Sequence, residues 1–175
     1  MSTSKIAAIL EGSDRRSIGR ADQVAKLVLK QPELFRELIA CLWHDDPVVR
    51  MRAADAAEKV SRENPRLLAR YKSQLLGLLA ETAQIELRWH LAQMLPRLQL
   101  AARERQRAAA SLRRYLETDG SSVVRTWSLN ALAELSQNDA TLRSETKQLL
   151  EDALHSGTAA MKARARKLLK SVSTP

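Results

Sequence analysis

The stretch Asp45-Asp46-Pro47-Val48-Val49-Arg50-Met51-Arg52-Ala53-Ala54-Asp55-Ala56-Ala57 decides the fold, because its pattern returns along the chain at a near-constant interval. Val49-Arg50 reappears as Leu87-Arg88, as Val124-Arg125 and, in weaker form, as Met161-Lys162, so the basic residue recurs at steps of 38, 37 and 37 residues. A period of that length marks helical hairpins stacked side by side, each carrying an apolar stripe that it cannot bury alone. The expected fold class is therefore all-α: a right-handed superhelix, or solenoid, of about five helical hairpins that makes residues 1–175 one domain.

The local pattern agrees with the period. Between Pro47 and Arg62, Val49, Ala53, Ala56, Ala57 and Val60 fall on one helical stripe at spacings of three and four. Asp45 or Asp46 can cap this helix, Pro47 suits its first position, and Pro65 blocks its continuation. Shifting by the period gives Leu87, Leu91, Met94, Leu95 and Leu98, then Val124, Ser128, Ala131, Leu132 and Leu135, and last Met161, Ala165, Leu168, Leu169 and Val172. The first copy, Ser17, Ala21, Val24, Ala25 and Val28, sits a shorter step ahead and has the character of a terminal cap. Companion helices are expected over Pro32 to Trp43, Pro65 to Ala80, Ala101 to Thr118 and Ala140 to His155, with Thr3 to Glu11 supplying the first.

Composition bounds the chemistry. With 45% hydrophobic but only 3% aromatic residues, the core must be built from Leu, Ala, Val and Ile. The single cysteine, Cys41, has no internal disulfide partner, and no apolar run approaches the ~18 residues of a membrane span. The polar start at Met1-Ser2-Thr3-Ser4-Lys5 has no leader character, so the expected setting is cytoplasmic, without membrane insertion. A net charge of +9 favours acidic partners, and the basic residues crowd two helices: Arg103, Arg105, Arg107, Arg113 and Arg114 on one, Lys162, Arg164, Arg166, Lys167 and Lys170 on the last.

The segment Asp46-Pro47-Val48-Val49-Arg50, followed by Ala53-Ala54-x-Ala56-Ala57, resembles the HEAT-repeat family of ARM/HEAT-type α-solenoids. Ser122-Val123-Val124-Arg125 and Glu86-Leu87-Arg88 match its signature in part, lacking the proline. The resemblance implies that Asp46, Arg50, Arg88 and Arg125 are structural and link neighbouring repeats. It specifies a fold rather than an activity.

Function is expected on the concave face, opposite the buried stripe of each second helix. The candidates are Asp55, Trp89, Gln93, Asn130 and Lys167, with a neighbouring row of Arg20, Arg52, His90, Trp127 and Arg164. Trp89 stands out as a possible anchor, Trp127 is expected between repeats, and Trp43 is expected to close the core. Cys41 and His44 read as a buried thiol and a capping imidazole, and no phosphate loop, nucleophile elbow or metal-ligand spacing occurs. The expected function is a non-enzymatic scaffold or adaptor for another protein, with no cofactor and no metal. The alternative is nucleic acid held in a basic groove. A third reading likens the chain to HEAT-like DNA alkylation repair glycosylases, casting Trp89, Arg52 and Asp55 in their roles.

Overall fold

The computed structural model describes residues 4–14 and 16–172, Asn138 through its backbone alone, and among them are ten α-helices and no strand. The helices form five hairpins: α1 (Lys5–Leu10) with α2 (Ala21–Lys30), α3 (Phe35–Ala40) with α4 (Pro47–Glu63), α5 (Lys72–Glu81) with α6 (Ile85–Met94), α7 (Ala102–Thr118) with α8 (Ser122–Leu135), and α9 (Ala140–Ser156) with α10 (Ala159–Val172). The second helices pack in chain order, α2 on α4, α4 on α6, α6 on α8 and α8 on α10. The first helices lie behind them as a second row. The chain is an all-helical solenoid. No described helix is long and apolar enough to cross a membrane.

The expected stripes lie in the core. Val49, Ala53, Ala56, Ala57 and Val60 have no exposed surface, and Leu87, Leu91, Met94, Leu95, Leu98, Val124, Ser128, Ala131, Leu132 and Leu135 are all buried. In the last copy Met161, Ala165 and Val172 are buried while Leu168 and Leu169 are half-buried, since no described hairpin follows to cover them. Helix α4 goes further than a stripe: Ala54, Arg52, Glu58 and Ser61 are buried too. A helix clamped by α2 and α6 at its sides and by α3 behind keeps one narrow face for solvent, and alanines let its neighbours approach closely.

Proline and capping chemistry set the ends. Asp46 accepts the Val48 N–H at 2.8 Å with Pro47 at the first position of α4. Ser121 and Asp139 accept from Val124 N–H and Leu142 N–H at the starts of α8 and α9. Two first helices are shorter than the pattern implies. Pro65 turns 65–71 into a 3-10 stretch before α5, and α3 is flanked by 3-10 turns at Pro32–Leu34 and Cys41–Trp43. The described part of the first companion helix is Lys5–Leu10, and the expected start at Thr3 lies outside the described residues.

Candidate interaction surface

The face of the second-helix row turned away from the first helices is where the expected candidates should gather. On α4 each residue turns about 100°, so Met51, Asp55, Glu58 and Arg62 stand opposite the Val49 to Val60 stripe. Only Arg62 among them is exposed. The rest is occupied by ion pairs between adjacent helices. Lys59 reaches back to Asp22 of α2 at 2.6 Å and holds Asp55 at 2.6 Å. One period later, Arg97 does the same: its guanidinium meets the Glu58 carboxylate at 2.6 Å, the Glu58 carbonyl at 3.0 Å and Ser61 Oγ at 2.7 Å. Arg62 takes the other carboxylate oxygen of Glu58 at 2.6 Å.

These contacts set the protonation states. Burial works to raise the pKa of Glu58, yet hydrogen bonds from Arg97 and Arg62 outweigh it and hold the carboxyl below its ordinary value. Burial likewise opposes the charge on Lys59, and its bonds to Asp22 and Asp55 overcome it, raising the pKa. The centre of the face is thus a set of matched charges.

Further along, Trp89 is half-buried and stacks on His90, ring centroids 3.6 Å apart and 29° between planes. Gln93 donates to the Trp89 carbonyl at 3.3 Å, and Asn130 donates to the Glu134 carboxylate. His90 is only 3% exposed, its Nδ1 has no partner, and burial pushes its pKa down to about 3. It is a neutral core imidazole. Trp127 is half-buried beneath the Arg164 guanidinium, 5.0 Å from the ring centroid. Arg20 and Lys167, at opposite ends of the row, are exposed.

The neighbouring row of Arg20, Arg52, His90, Trp127 and Arg164 therefore does not form one surface. One residue beyond the free face, the helix has turned toward the preceding hairpin, so the row lies between repeats except at Arg20, which has no described hairpin before it and is exposed. Arg52 shows the consequence most fully. It is 4% exposed and donates to four backbone carbonyls around the α1–α2 connection: Leu10 and Glu11 at 2.8 Å, Asp14 at 3.0 Å and Ser17 at 3.1 Å. Gly12 and Gly19, at φ +149° and +53°, wrap it so closely that a Cβ would lie 2.6 and 2.7 Å from its guanidinium. Arg52 is the mould of that loop. Asp55 and Asn130 are also buried, at 9% and 7% exposure, and are hydrogen-bonded to Lys59 and to the Glu134 carboxylate.

The repeated arginines near the helix starts bind the hairpins together. Arg50 donates to the His44 and Asp45 carbonyls of its own turn and to Gln84 of the next hairpin at 2.7 Å. Arg88 donates to the Thr82 carbonyl and pairs with Asp119 of the next hairpin at 2.6 Å. Arg125 bonds the Leu116 carbonyl within its own hairpin, and Asp46 caps its own helix. The inter-repeat acceptors are Gln84 and Asp119, which the motif does not mark.

The arginines of α7 lie in the first-helix row, where Arg105 pairs with Asp139, Arg113 with Glu145, and Arg114 donates to the Ala80 carbonyl. They tie α7 to α9 and α5 rather than lining the free face. Cys41 is buried and its thiol is pushed up to about 11, first by burial and then by Glu37, while His44 Nδ1 accepts the Asp46 N–H at 3.1 Å. The thiol and the imidazole have separate structural roles. Trp43, expected to close the core, is 47% exposed instead, because the 3-10 turn at Cys41–Trp43 rotates it off the buried face. The repair-type trio does not converge either: Arg52 points into the α1–α2 loop and Asp55 is held by Lys59. Among the described residues no cluster of His, Cys, Asp and Glu could hold a metal ion.

Lys59 and Arg97 were the residues that sequence reading passed over. A signal existed, since they are basic residues one period apart on the flank that faces the preceding hairpin. Which acids they meet, Asp22 and Asp55 for Lys59 and Glu58 for Arg97, only packing reveals.

A family model for the HEAT repeat domain matches residues 11–172. The chain is a HEAT-repeat protein. No curated protein matches it. The motif in α4 and its partial copies in α6 and α8 are thus the signature turns of successive HEAT repeats, and the Arg50–Gln84 and Arg88–Asp119 contacts are this chain's way of joining them. HEAT repeats are helical scaffolds that often mediate protein interactions.

Proposed function

We propose that this HEAT-repeat protein is a non-catalytic scaffold or adaptor, and that residues 1–175 work as one domain binding another protein across the free face of α2, α4, α6, α8 and α10. The observation that carries this reading is the internal neutralisation of the face. Lys59 is shared by two aspartates, and Arg62 and Arg97 are both spent on Glu58. A polyanion needs a continuous track of available cations. This face offers matched charges around Trp89 and Gln93, with exposed Arg20, Lys26 and Lys30 at one end and Lys167 at the other. Such a pattern suits a folded protein with a polar, part-apolar centre and acidic flanks. Nucleic acid would have to bind through the ends, where exposed Arg166 and Lys167 of α10 are the best available cations.

The test is site-specific photocrosslinking from Gln93, with a probe at Arg103 of the first-helix row as the control. The expected result is one protein adduct from Gln93, retained at about 0.3 M salt, where phosphate-driven binding has weakened by orders of magnitude. Lys167→Glu should weaken it. Adducts consisting only of RNA or DNA, or equal yields from the two positions, would reject the reading.

A further inference from the structure

A second surface lies on the opposite side, in the first-helix row. Most seams of that row carry polar ties. Ser4 bonds Glu37 between α1 and α3, Lys72–Glu104 and Arg114–Ala80 join α5 to α7, and Arg105–Asp139 and Arg113–Glu145 join α7 to α9. Between α3 and α5, no hydrogen bond or ion pair crosses among the described residues. Phe35 of α3 meets Tyr71, the last residue before α5, edge-on at 5.8 Å between centroids, and a gap lies between the two helices.

The gap is a groove of about 600 Å3. One wall is the stripe Arg36, Ile39, Ala40 and Trp43, and the other is Tyr71, Gln74, Gly77, Leu78 and Glu81. Each wall repeats at three and four residues, so both run along helix axes, the first for about 11 Å and the second for about 15 Å, two to three turns of a helix. Past Tyr71 and Arg36 it opens into a second recess of about 300 Å3 against Phe35 and Leu67. The exposed Trp43 ring stands at one end. Two local causes keep the groove open. The 3-10 stretch Pro65–Tyr71 delays the start of α5, and Gly77 puts no side chain into the space, where an added Cβ would meet nothing within 4 Å.

The charges of the groove are divided along its length. Arg36 and Arg70 stand at the Tyr71 end beside one acid, Glu33, and Glu81 stands at the Trp43 end. Arg36 and Glu81 make no ion pair among the described residues. We propose that this groove receives one amphipathic helix of a partner protein, which inserts apolar side chains at i, i+4 and i+7 between Trp43, Leu78 and Tyr71, sets an acidic residue against Arg36, and sets a basic one against Glu81. Helix-in-groove recognition uses this spacing of anchors, and the unpaired, oppositely charged ends impose a single direction on the guest. The site is independent of the free face, so it can bring a second protein to the same scaffold.

The experiment is a selection from a display library of amphipathic helical peptides on the purified chain, with affinities remeasured on four variants. Gly77→Leu fills the groove from a position with open space, so its melting midpoint should stay level or rise, because leucine favours a helix interior over glycine. The expected result is enrichment of peptides with i, i+4 and i+7 apolar anchors and opposite end charges. Their binding should weaken at least about tenfold on Gly77→Leu and on Trp43→Ala, the scale of losing an anchor. Arg36→Glu should weaken it several-fold, and changing only the peptide's acidic residue that faces position 36 to lysine should restore binding to that variant. Lys167→Glu on the free face should leave it unchanged. No helical consensus, or peptides that bind Gly77→Leu as tightly as the parent, would overturn the proposal. Concentration-dependent dimerisation of the chain that Gly77→Leu abolishes would also overturn it, assigning the groove to a second copy.

Discussion

Replacing Arg52 by alanine should detach the first hairpin from the rest of the solenoid. The guanidinium is 4% exposed and supplies four hydrogen bonds, all to backbone carbonyls between Leu10 and Ser17. Of these acceptors, Leu10 is buried, and the carbonyls of Glu11, Asp14 and Ser17 lie in a connection that water can reach once the side chain is gone. Leaving a buried acceptor unpaired costs about 1–3 kcal/mol, and each bond to a rehydrated carbonyl loses about 0.5–1 kcal/mol, so the substitution should remove roughly 3–5 kcal/mol from this region. That exceeds what a six-residue α1, resting on α2, α3 and α4, can be expected to retain. Lysine should recover less than half, because an ammonium cannot span a fork of acceptors. The assay is hydrogen exchange followed along the chain, together with urea unfolding. Amides of Ala7 to Leu10 and of Ala21 to Ala25 should exchange faster by two orders of magnitude or more, at about 1.4 kcal/mol per factor of ten, while α6 to α10 keep their protection. Gly19→Ala should act in the same direction, through its positive φ and its 2.7 Å collision with the guanidinium. Unaltered exchange in α1 and a loss below about 1 kcal/mol in Arg52→Ala would show that the loop holds its shape without the arginine.

His90 should make the protein weaken as pH falls. Its pKa is about 3 when folded against the ordinary 6.5, so below pH 6.5 the unfolded chain takes up a proton that the folded one refuses. Stability should drop by about 2 kcal/mol between pH 7 and pH 5, and His90→Leu, checked by urea titration at both pH values, should remove that difference. Glu58→Gln should cost about 2–4 kcal/mol at pH 7, because it strips the counter-charge from two arginines at a buried site. The folded pKa of Glu58 is depressed, so its contribution is present above the ordinary carboxyl range and fades as acid protonates it, and the variant's deficit should shrink toward pH 3. Enlarging Ala57 to leucine should cost about 1–3 kcal/mol by overpacking the fully buried side of α4, measured as a lowered melting midpoint.

How far the sequence could be read depended on whether a feature repeats. The interval carried by Arg50, Arg88 and Arg125, and the apolar stripe beside each, recur in the inner hairpins because each of them meets a neighbour on both sides. Asp46 and Pro47 state the start of α4 locally, and the structure places it there. The candidate surface was less legible. Met51, Asp55 and Glu58 were correctly opposite the stripe, but angle alone does not reveal that α2 and α6 crowd in from the sides and hide two of them.

Arg52 and Trp43 show the same limit from two directions. An arginine one residue off the expected face reads as a surface cation, and only the loop from Leu10 to Ser17, folded over it, makes it a buried scaffold. A tryptophan ending a helix reads as a core plug, and only the 3-10 turn beneath it leaves the ring in solvent. The sequence by itself determined the hairpin count, the buried stripes and the family, because periodicity and capping are local and repeat with the chain. Tertiary structure alone decided which charges cancel, which cation shapes a loop, and where the first-helix row stays open. Those outcomes depend on residues more than thirty positions apart meeting in space, and no local pattern records such meetings.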